Sequence, residues 1–400
     1  MIQNAIRERQ MKRIIILVTL LFLVAYSIGA SSFHFILDPL EFHPDIAGGY
    51  VPTFITAGFE RRTFHENTGD QTVLRFIGGG GYGQRTVWQD AAGSVMIPGN
   101  PAVTPYTYDV VQLLWNLGIS RGFGEFEITQ EDAVSLYLNY EGRFESAVPT
   151  FNTTAVLTGE KRGDFFSELA AGTVYPELAG NRQFLSTAIA AGFTVDMMVD
   201  QQVTQYGVST DVSLRWAPSF LNNALDGRAD YLEFAVNAIG AYPVYHLSNE
   251  ANLNILSLTL VDRLRFSYVL GNAVPVFVQG RNALGSLIRG FAWSTFNTEL
   301  SLANNFDIRI AAPEPFWDGI FPRLNMFFDA GYYSGRHFNS TDSSSGFIAS
   351  TGAEVTLSVF DYLDFGYYLA YLINGMNYRA ELDSDPVNQI IAGAMFFLRF

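Results

Sequence analysis

The sequence predicts an all-β fold, a transmembrane antiparallel β-barrel of about 16 strands. Mean hydropathy is positive, at +0.14, yet after residue 30 no segment has the ~18 uninterrupted apolar residues of a spanning helix. From about residue 46 the chain instead repeats alternating runs of ~10 residues, separated by turns rich in Gly, Asn, Asp, Ser or Pro. Such strands can turn apolar side chains to lipid and polar ones to a wet interior. The predicted strands include residues 231–240, 253–261, 263–270 and 274–279, and residues 86–107 are predicted as an inserted loop.

The N-terminus has the pattern of a secretory signal peptide. An apolar run over residues 14–26 ends in small residues, and cleavage is expected near Ala30. Four basic residues precede the run: Arg7, Arg9, Lys12 and Arg13. A membrane anchor helix is the alternative, but the run is shorter than the ~20 residues that a spanning helix needs. The predicted domains are a signal peptide at residues 1–30 and a barrel at residues 31–400.

Composition excludes one class of partner. The chain has a net charge of −15 and only two lysines, Lys12 and Lys161, so no nucleic-acid partner is expected. The absence of cysteine fits an oxidising compartment without disulfides.

Strand alternation is clearest in the C-terminal part of the chain. Three runs there put apolar side chains on one face and polar side chains on the other. Their acidic residues on the polar face are Asp307 in residues 299–310, Asp329 in residues 324–333 and Glu354 in residues 347–359. We expect these three carboxylates to face the lumen of the barrel.

The last predicted strand, residues 390–400, places Phe396, Leu398 and Phe400 on one face. A chain that ends on an aromatic residue in this phase resembles the C-terminal signal of bacterial outer-membrane barrels. A soluble β-sandwich could also end on a strand, but aromatic outer faces repeated this often would aggregate in water. The sequence therefore predicts localisation in the bacterial outer membrane, with lipid as a partner.

Residues 281–291 suit neither a strand nor a helix, and strand-like runs lie on both sides of them. The segment combines Arg281 and Arg289 with Leu284, Leu287, Ile288 and Phe291. Apolar side chains in an exposed loop would lack shelter, so we expect the loop to fold inward.

These C-terminal features resemble BamA/TamA-type outer-membrane assembly barrels, the bacterial surface antigen family. The resemblance rests on the tripeptide Arg289-Gly290-Phe291, the strand acid Asp307 and the pattern Phe-x-Asp-x-Gly at residues 327–331. It covers about residues 260–400, and five strands are predicted after the tripeptide. In that family an inward-folded loop lies before strand 12 of a 16-stranded barrel.

The resemblance implies that Arg289, Gly290 and Phe291 form a latch held by acids of the barrel wall. Asp329 is the best match to the family's acid, followed by Asp307, and alternation adds Glu354. The stretch between Ser31 and the first predicted strand, at Val51, is too short for the periplasmic POTRA domains that usually precede such barrels.

No enzyme is expected, and neither is a cofactor or a metal. The glycine run at residues 78–83 lacks the Lys-Ser/Thr of a phosphate loop and is interpreted as a strand end. The five histidines show no metal-ligand spacing. The resemblance implies a factor that assists insertion or translocation of outer-membrane components, with unfolded outer-membrane proteins or periplasmic assembly factors as partners. A passive porin-like channel or a surface-exposed structural barrel is the alternative.

Overall fold

The computed structural model describes most of the chain after the predicted signal peptide. The described residues are 31–38, 53–65, 70–89, 104–126, 131–148, 165–171, 182–201, 204–225, 227–248, 254–291, 296–312, 319–337, 343–359, 363–374 and 390–398. The predicted signal peptide and Phe400 lie outside these residues.

The described residues form one antiparallel sheet, which confirms the predicted all-β class. Its strands are β1 (Ser31–Asp38), β2 (Thr53–Phe64), β3 (Gln71–Gln89), β4 (Thr104–Phe126), β5 (Glu131–Val148), β6 (Gln183–Asp196), β7 (Val199–Gln201), β8 (Thr204–Ala217), β9 (Asp230–Ser248), β10 (Asn254–Ala273), β11 (Thr298–Ala311), β12 (Ile320–His337), β13 (Ser343–Val359), β14 (Leu363–Asn374) and β15 (Ile390–Leu398). Each strand pairs with its neighbour in sequence, except that β6 pairs with β8, and the short β7 pairs only with β8.

Two short helices lie outside the loop that we expected to fold inward. They are α1 (Phe165–Ala171) and α2 (Ser219–Asn223). Within the described residues, no helix is long and apolar enough to cross a membrane.

The two faces of the sheet differ in chemistry, as alternation requires. In β11 buried and half-buried positions alternate along nearly the whole strand. In β14 every second side chain is a large apolar one with 45% to 53% of its surface exposed: Phe365, Tyr367, Leu369, Tyr371 and Ile373. In water such a face would be an aggregation hazard, whereas a lipid environment matches it.

The segment between β10 and β11 leaves the sheet. We call residues 274–291 the inner segment; it contains α3 (Val276–Asn282) and a 3₁₀ turn, η1 (Leu284–Ser286). A strand predicted at residues 274–279 was wrong, because Pro275 starts a helix there. The carbonyl of Pro275 accepts hydrogen bonds from the backbone N–H groups of Val278 and Gln279, and proline suits the first turn of a helix.

Other boundaries also differ from those predicted. Residues 253–261 and 263–270, predicted as two strands, belong to the single strand β10. The glycine run at 78–83 lies within β3 and does not end it. The loop predicted at residues 86–107 is shorter, since β3 and β4 remain paired out to Gln89 and Thr104. Among the described residues five strands, β11–β15, follow the inner segment, which is the number predicted. The described residues hold 15 strands, so the predicted count of about 16 stays a prediction.

The sheet is strongly curved around the inner segment. Although α3 follows β10 directly, its Phe277 packs against Phe184 of β6 and under the guanidinium of Arg143 of β5. Four strand spacings separate β10 from β5 along the sheet, about 19 Å if it were flat. At the other end of the segment, Gly290 lies against Ala370 and Leu372 of β14. Among the pairings of the described residues, none joins β1 to β15.

Candidate functional site: the inner segment and its anchors

Arg289 lies at the centre of a charged cluster on the concave face of the sheet. Its Nε and Nη2 donate to Oδ2 and Oδ1 of Asp329, at 2.8 and 2.7 Å. Nη2 also donates to Oδ1 of Asp307 at 2.5 Å, and Nη1 donates to Oε2 of Glu354 at 3.1 Å. The three carboxylates come from three adjacent strands, β11, β12 and β13, and we call them with Arg289 the latch.

The latch is largely withdrawn from solvent. The side chain of Asp329 is 0% exposed, that of Asp307 2% and that of Glu354 7%, while Arg289 keeps 16%. Burial by itself lowers the pKa of Arg289, but the hydrogen bond and charge of Asp329, with the charge of Asp307, outweigh burial and raise this pKa above its ordinary value. The surrounding carboxylates therefore favour the charged form of Arg289.

The Phe-x-Asp-x-Gly pattern of β12 has one physical cause. Phe327, Asp329 and Gly331 are alternate residues, so all three face the inner segment. The ring of Phe327 lies 3.8 Å from the guanidinium carbon of Arg289, a cation–π contact. At Gly331 an added Cβ would lie only 2.6 Å from Cδ1 of Leu284, so glycine leaves room for the segment.

Gly290 is required for two independent reasons. Its φ of 94° lies in the region that side-chain-bearing residues rarely adopt. A Cβ there would also lie 2.9 Å from Cδ2 of Leu372 and 3.1 Å from Cβ of Ala370, both in β14. The turn after Arg289 therefore needs glycine both for its backbone conformation and for its approach to the wall.

Apolar packing holds the rest of the inner segment against the same wall. Leu284, Ile288 and Phe296 are almost fully buried and form one cluster with side chains of β11 and β13. Phe291 packs edge-on against Phe296, with ring centroids 5.7 Å apart, and Phe296 packs against Tyr333 of β12 at 4.8 Å. The Arg-Gly-Phe tripeptide thus contributes an ionic contact, a tight turn and an aromatic contact in succession.

Two latch carboxylates have further partners that the sequence did not reveal. Asp307 Oδ2 also accepts from Nη1 of Arg263 in β10, at 2.7 Å. Glu354 Oε1 accepts from Nδ2 of Asn325 at 2.9 Å and from the hydroxyl of Thr356 at 3.1 Å. Asp329 has no such additional side-chain bond among those found for the described residues, so it depends most on Arg289.

A second ionic anchor holds the N-terminal part of the inner segment. Arg281 Nη2 donates to Oε2 of Glu233 in β9 at 2.6 Å, and Asn282 Nδ2 donates to Oε1 of the same carboxylate at 3.0 Å. Arg215 of β8 donates to Glu233 Oε2 at 2.6 Å and to Glu141 of β5 at 2.8 Å. We call Arg281, Asn282, Glu233 and Arg215 the second anchor.

The second anchor was not predicted, although the sequence held a signal for it. Glu233 lies between Leu232 and Phe234 in a run that is correctly predicted as a strand, and both neighbours point outward. Alternation alone therefore places Glu233 on the inner face, where a carboxylate needs a cationic partner. The pair with Arg281 was not foreseen because the two residues are 48 positions apart.

The predicted C-terminal signal is described only in part. Phe396 and Leu398 lie within β15, which pairs with β14, and Phe400 lies beyond the described residues. This strand therefore ends the described sheet.

The inner segment does not fill the space beside the sheet. A polar cavity of about 550 Å³ lies between the segment and β8–β10, and its lining includes Arg215, Glu233 and Arg263. A second cavity of about 350 Å³ lies beside β2–β6, and Tyr137 lines both. Across the described residues, no group of three or more His, Asp or Glu side chains is placed to hold a metal ion.

Fold and site together define an antiparallel β wall curved around an inward-folded segment, which is fixed by an arginine bound to three buried carboxylates. No family model and no curated protein matches the chain. Among solved structures it is similar to BamA from Haemophilus ducreyi lacking POTRA domains 1-3, at 12% identity and a TM-score of 0.41 over 92% of this chain and 71% of that one.

The chain is also similar to CdiB from Escherichia coli, at 9% identity and a TM-score of 0.43 over 92% of this chain and 67% of that one. For CdiB from Acinetobacter baumannii the identity is 10% and the TM-score 0.42, over 92% of this chain and 65% of that one. These identities and TM-scores are too low to indicate a function for this chain.

Proposed function

We propose that this chain is an outer-membrane β-barrel that assists the insertion or translocation of outer-membrane components. Outer-membrane lipid covers the exposed apolar face, and the clients are unfolded outer-membrane proteins, delivered by periplasmic assembly factors. The observation that carries the proposal is the latch, which fixes the inner segment to β11, β12 and β13. The last described strand, β15, lies apart from the latch and pairs only with β14 among the described residues.

The pairing of the terminal strands supports an edge that can open. Among the described residues β1 pairs with β2 and β15 pairs with β14, and no pairing joins β15 to β1. The freed N–H and C=O groups of an edge strand template an incoming strand by backbone pairing.

The latch supports a wall that stays rigid while that edge moves. The guanidinium of Arg289 binds one carboxylate from each of β11, β12 and β13, and the adjacent Gly290 packs against β14. A client strand pairing at β15 would therefore meet a stationary surface on one side. Insertion needs this asymmetry between a fixed wall and a movable edge.

A passive channel is the second candidate, and the two polar cavities favour it. They share Tyr137 and line the concave face with charged side chains. If the cavities join into one path, ions would pass through the barrel without any movement of β15.

Reconstitution separates the two candidates. The full chain is placed in proteoliposomes, an unfolded eight-stranded outer-membrane barrel is added, and its folding is followed by protection from protease. We expect faster folding than in empty liposomes, and slower folding when β15 is joined to β1 by a cysteine pair. Planar bilayer recordings on the same preparation measure conductance.

In cells, depletion of the protein should lower the amounts of other barrel proteins in the outer membrane. If those amounts hold while solute uptake falls, and reconstituted protein conducts without speeding client folding, the insertion role is wrong and the channel role stands.

A further inference from the structure

One polar pair lies on the outward, otherwise apolar face of the sheet. Asn304 Nδ2 of β11 donates to Asp262 Oδ1 of β10 at 2.6 Å, and the contact is exposed. The next residue, Arg263, points inward to Asp307 of the latch. Since side chains alternate along a strand, Asp262 points outward.

The pair lies near the middle of the apolar row and not at its rim. Outward neighbours of Asp262 in β10 run from Leu256 to Leu260 on one side and from Leu264 to Leu270 on the other. At ~3.3 Å per residue, Asp262 is about 20 Å along the strand from Leu256 and about 26 Å from Leu270. In a barrel set in lipid this is the depth at which polar side chains are rare and functional.

The hydrogen-bonding capacity of the pair is only partly used. Within the described part of the chain, neither side chain has another hydrogen bond or ion pair. One N–H of Asn304 and one oxygen of Asp262 therefore remain available. A free donor beside a free acceptor is self-complementary, because a two-fold axis brings each donor to the other copy's acceptor.

The surface beside the pair allows close approach. Gly240 of β9 lies directly across from Asp262, and nothing lies within 4 Å of where its Cβ would be. Ala330 of β12 lies across from Asn304. Small residues therefore flank the pair on both neighbouring strands, so a second wall can come near enough for hydrogen bonds.

We propose that the outward face of β9–β12 is a dimer interface within the membrane, in which Asn304 of each copy donates its free N–H to Asp262 of a second copy. This rests on the proposed membrane embedding of the outward face. The arrangement pairs polar groups that lipid would leave unsatisfied. It also leaves the latch and the terminal strands, which face elsewhere, accessible.

Site-directed cross-linking tests the interface, since the chain has no cysteine. Leu264→Cys adds a thiol next to the pair, at an outward side chain that is 39% exposed. Leu138→Cys in β5 is the matched control, with 51% exposure. The full-length variants are oxidised in outer-membrane vesicles, and disulfide-linked dimers are measured on non-reducing gels.

We expect dimers with Leu264→Cys and only background with Leu138→Cys. Adding Asp262→Leu and Asn304→Leu keeps the face apolar and should lower the association constant about eightfold, the effect of two hydrogen bonds of the size measured between transmembrane segments, and so reduce the cross-linked fraction. Equal cross-linking at positions 264 and 138, or a yield unchanged by the two leucines, overturns the proposal.

Two controls keep this test separate from the proposed function. Heat-modified migration on gels identifies folded barrel, and Tyr268→Cys, on the same outward row, replaces Leu264→Cys if that variant does not fold. The amounts of other outer-membrane barrels are measured in the same cells. If the protein is a monomer and still maintains the amounts of other outer-membrane barrels, only the dimer proposal is wrong. If the protein is a dimer and has no effect on those amounts, only the insertion role is wrong.

Discussion

Replacing Arg289 by alanine should destabilise the folded barrel far more than replacing an exposed arginine of the same sheet. The change removes four side-chain hydrogen bonds, two to Asp329 and one each to Asp307 and Glu354. All three carboxylates would remain buried without their shared cation. Leaving a buried charge unpaired costs about 3–5 kcal/mol.

The structure predicts how that loss divides among the three carboxylates. Asp307 keeps Arg263, and Glu354 keeps two neutral donors. Asp329 keeps only the backbone N–H of residue 289, at 3.0 Å. Most of the cost therefore falls on Asp329, and the double variant Arg289→Ala with Asp329→Asn should recover part of the lost stability, because it removes the buried charge that has lost the most partners.

Urea unfolding in detergent micelles, followed by heat-modified migration on gels, measures the free energy of unfolding. The control is Arg75→Ala, whose guanidinium is 52% exposed and 3.9 Å from Glu60. Exposed pairs of this kind contribute ~1 kcal/mol or less. Arg289→Lys retains the charge but not the bidentate geometry, so its stability should fall between that of Arg289→Ala and that of the unchanged protein.

If Arg289→Ala unfolds at the same urea concentration as Arg75→Ala, the latch does not hold the fold together. If Asp329→Asn lowers stability further in the Arg289→Ala background, the cost does not come from an unpaired carboxylate at that position.

Three further substitutions test other parts of the site. Gly290→Ala should cost about 1–3 kcal/mol in unfolding free energy, since the new Cβ meets Leu372 and the backbone is strained. Gly331→Ala should cost about 1–3 kcal/mol by overpacking against Leu284, and its inner segment should become more sensitive to protease. Glu233→Gln should leave two arginines without their shared carboxylate and lower the unfolding free energy by about 3–5 kcal/mol.

These substitutions have matched controls in the same sheet. Gly240→Ala meets open space and should leave stability nearly unchanged. Glu299→Gln disturbs a contact of 3.5 Å between half-exposed side chains and should cost well under the effect of Glu233→Gln. If a site variant has the same unfolding free energy as its control, the contact described for that position does not stabilise the fold.

The sequence predicted the C-terminal strands closely because each has one apolar and one polar face. The run at residues 299–310 corresponds to β11 (Thr298–Ala311), which extends one residue further at each end, and alternation placed Asp307 and Asp329 on the buried side. The inward course of the loop also followed from its composition, since its leucines needed cover. These inferences depend on local periodicity, which a sequence displays directly.

What the sequence could not supply was contact between distant residues. Residues 274–279 are rich in valine, which favours a strand, but Pro275 and the packing of Phe277 on β5 and β6 produce a helix. Tertiary contacts overrode β propensity there. The second anchor and the role of Arg263 likewise depend on the curvature of the sheet, which periodicity does not encode.

The carboxylate partners of the inner segment lie on opposite sides of it in chain order, so its two anchors depend on different lengths of chain. Glu233 precedes Arg281 by 48 residues, and the second anchor therefore needs no residue after Asn282. Glu354 follows Arg289 by 65 residues, so the latch is complete only when β13 is in place. The complete latch is thus a contact that only a sheet extending through β13 can make.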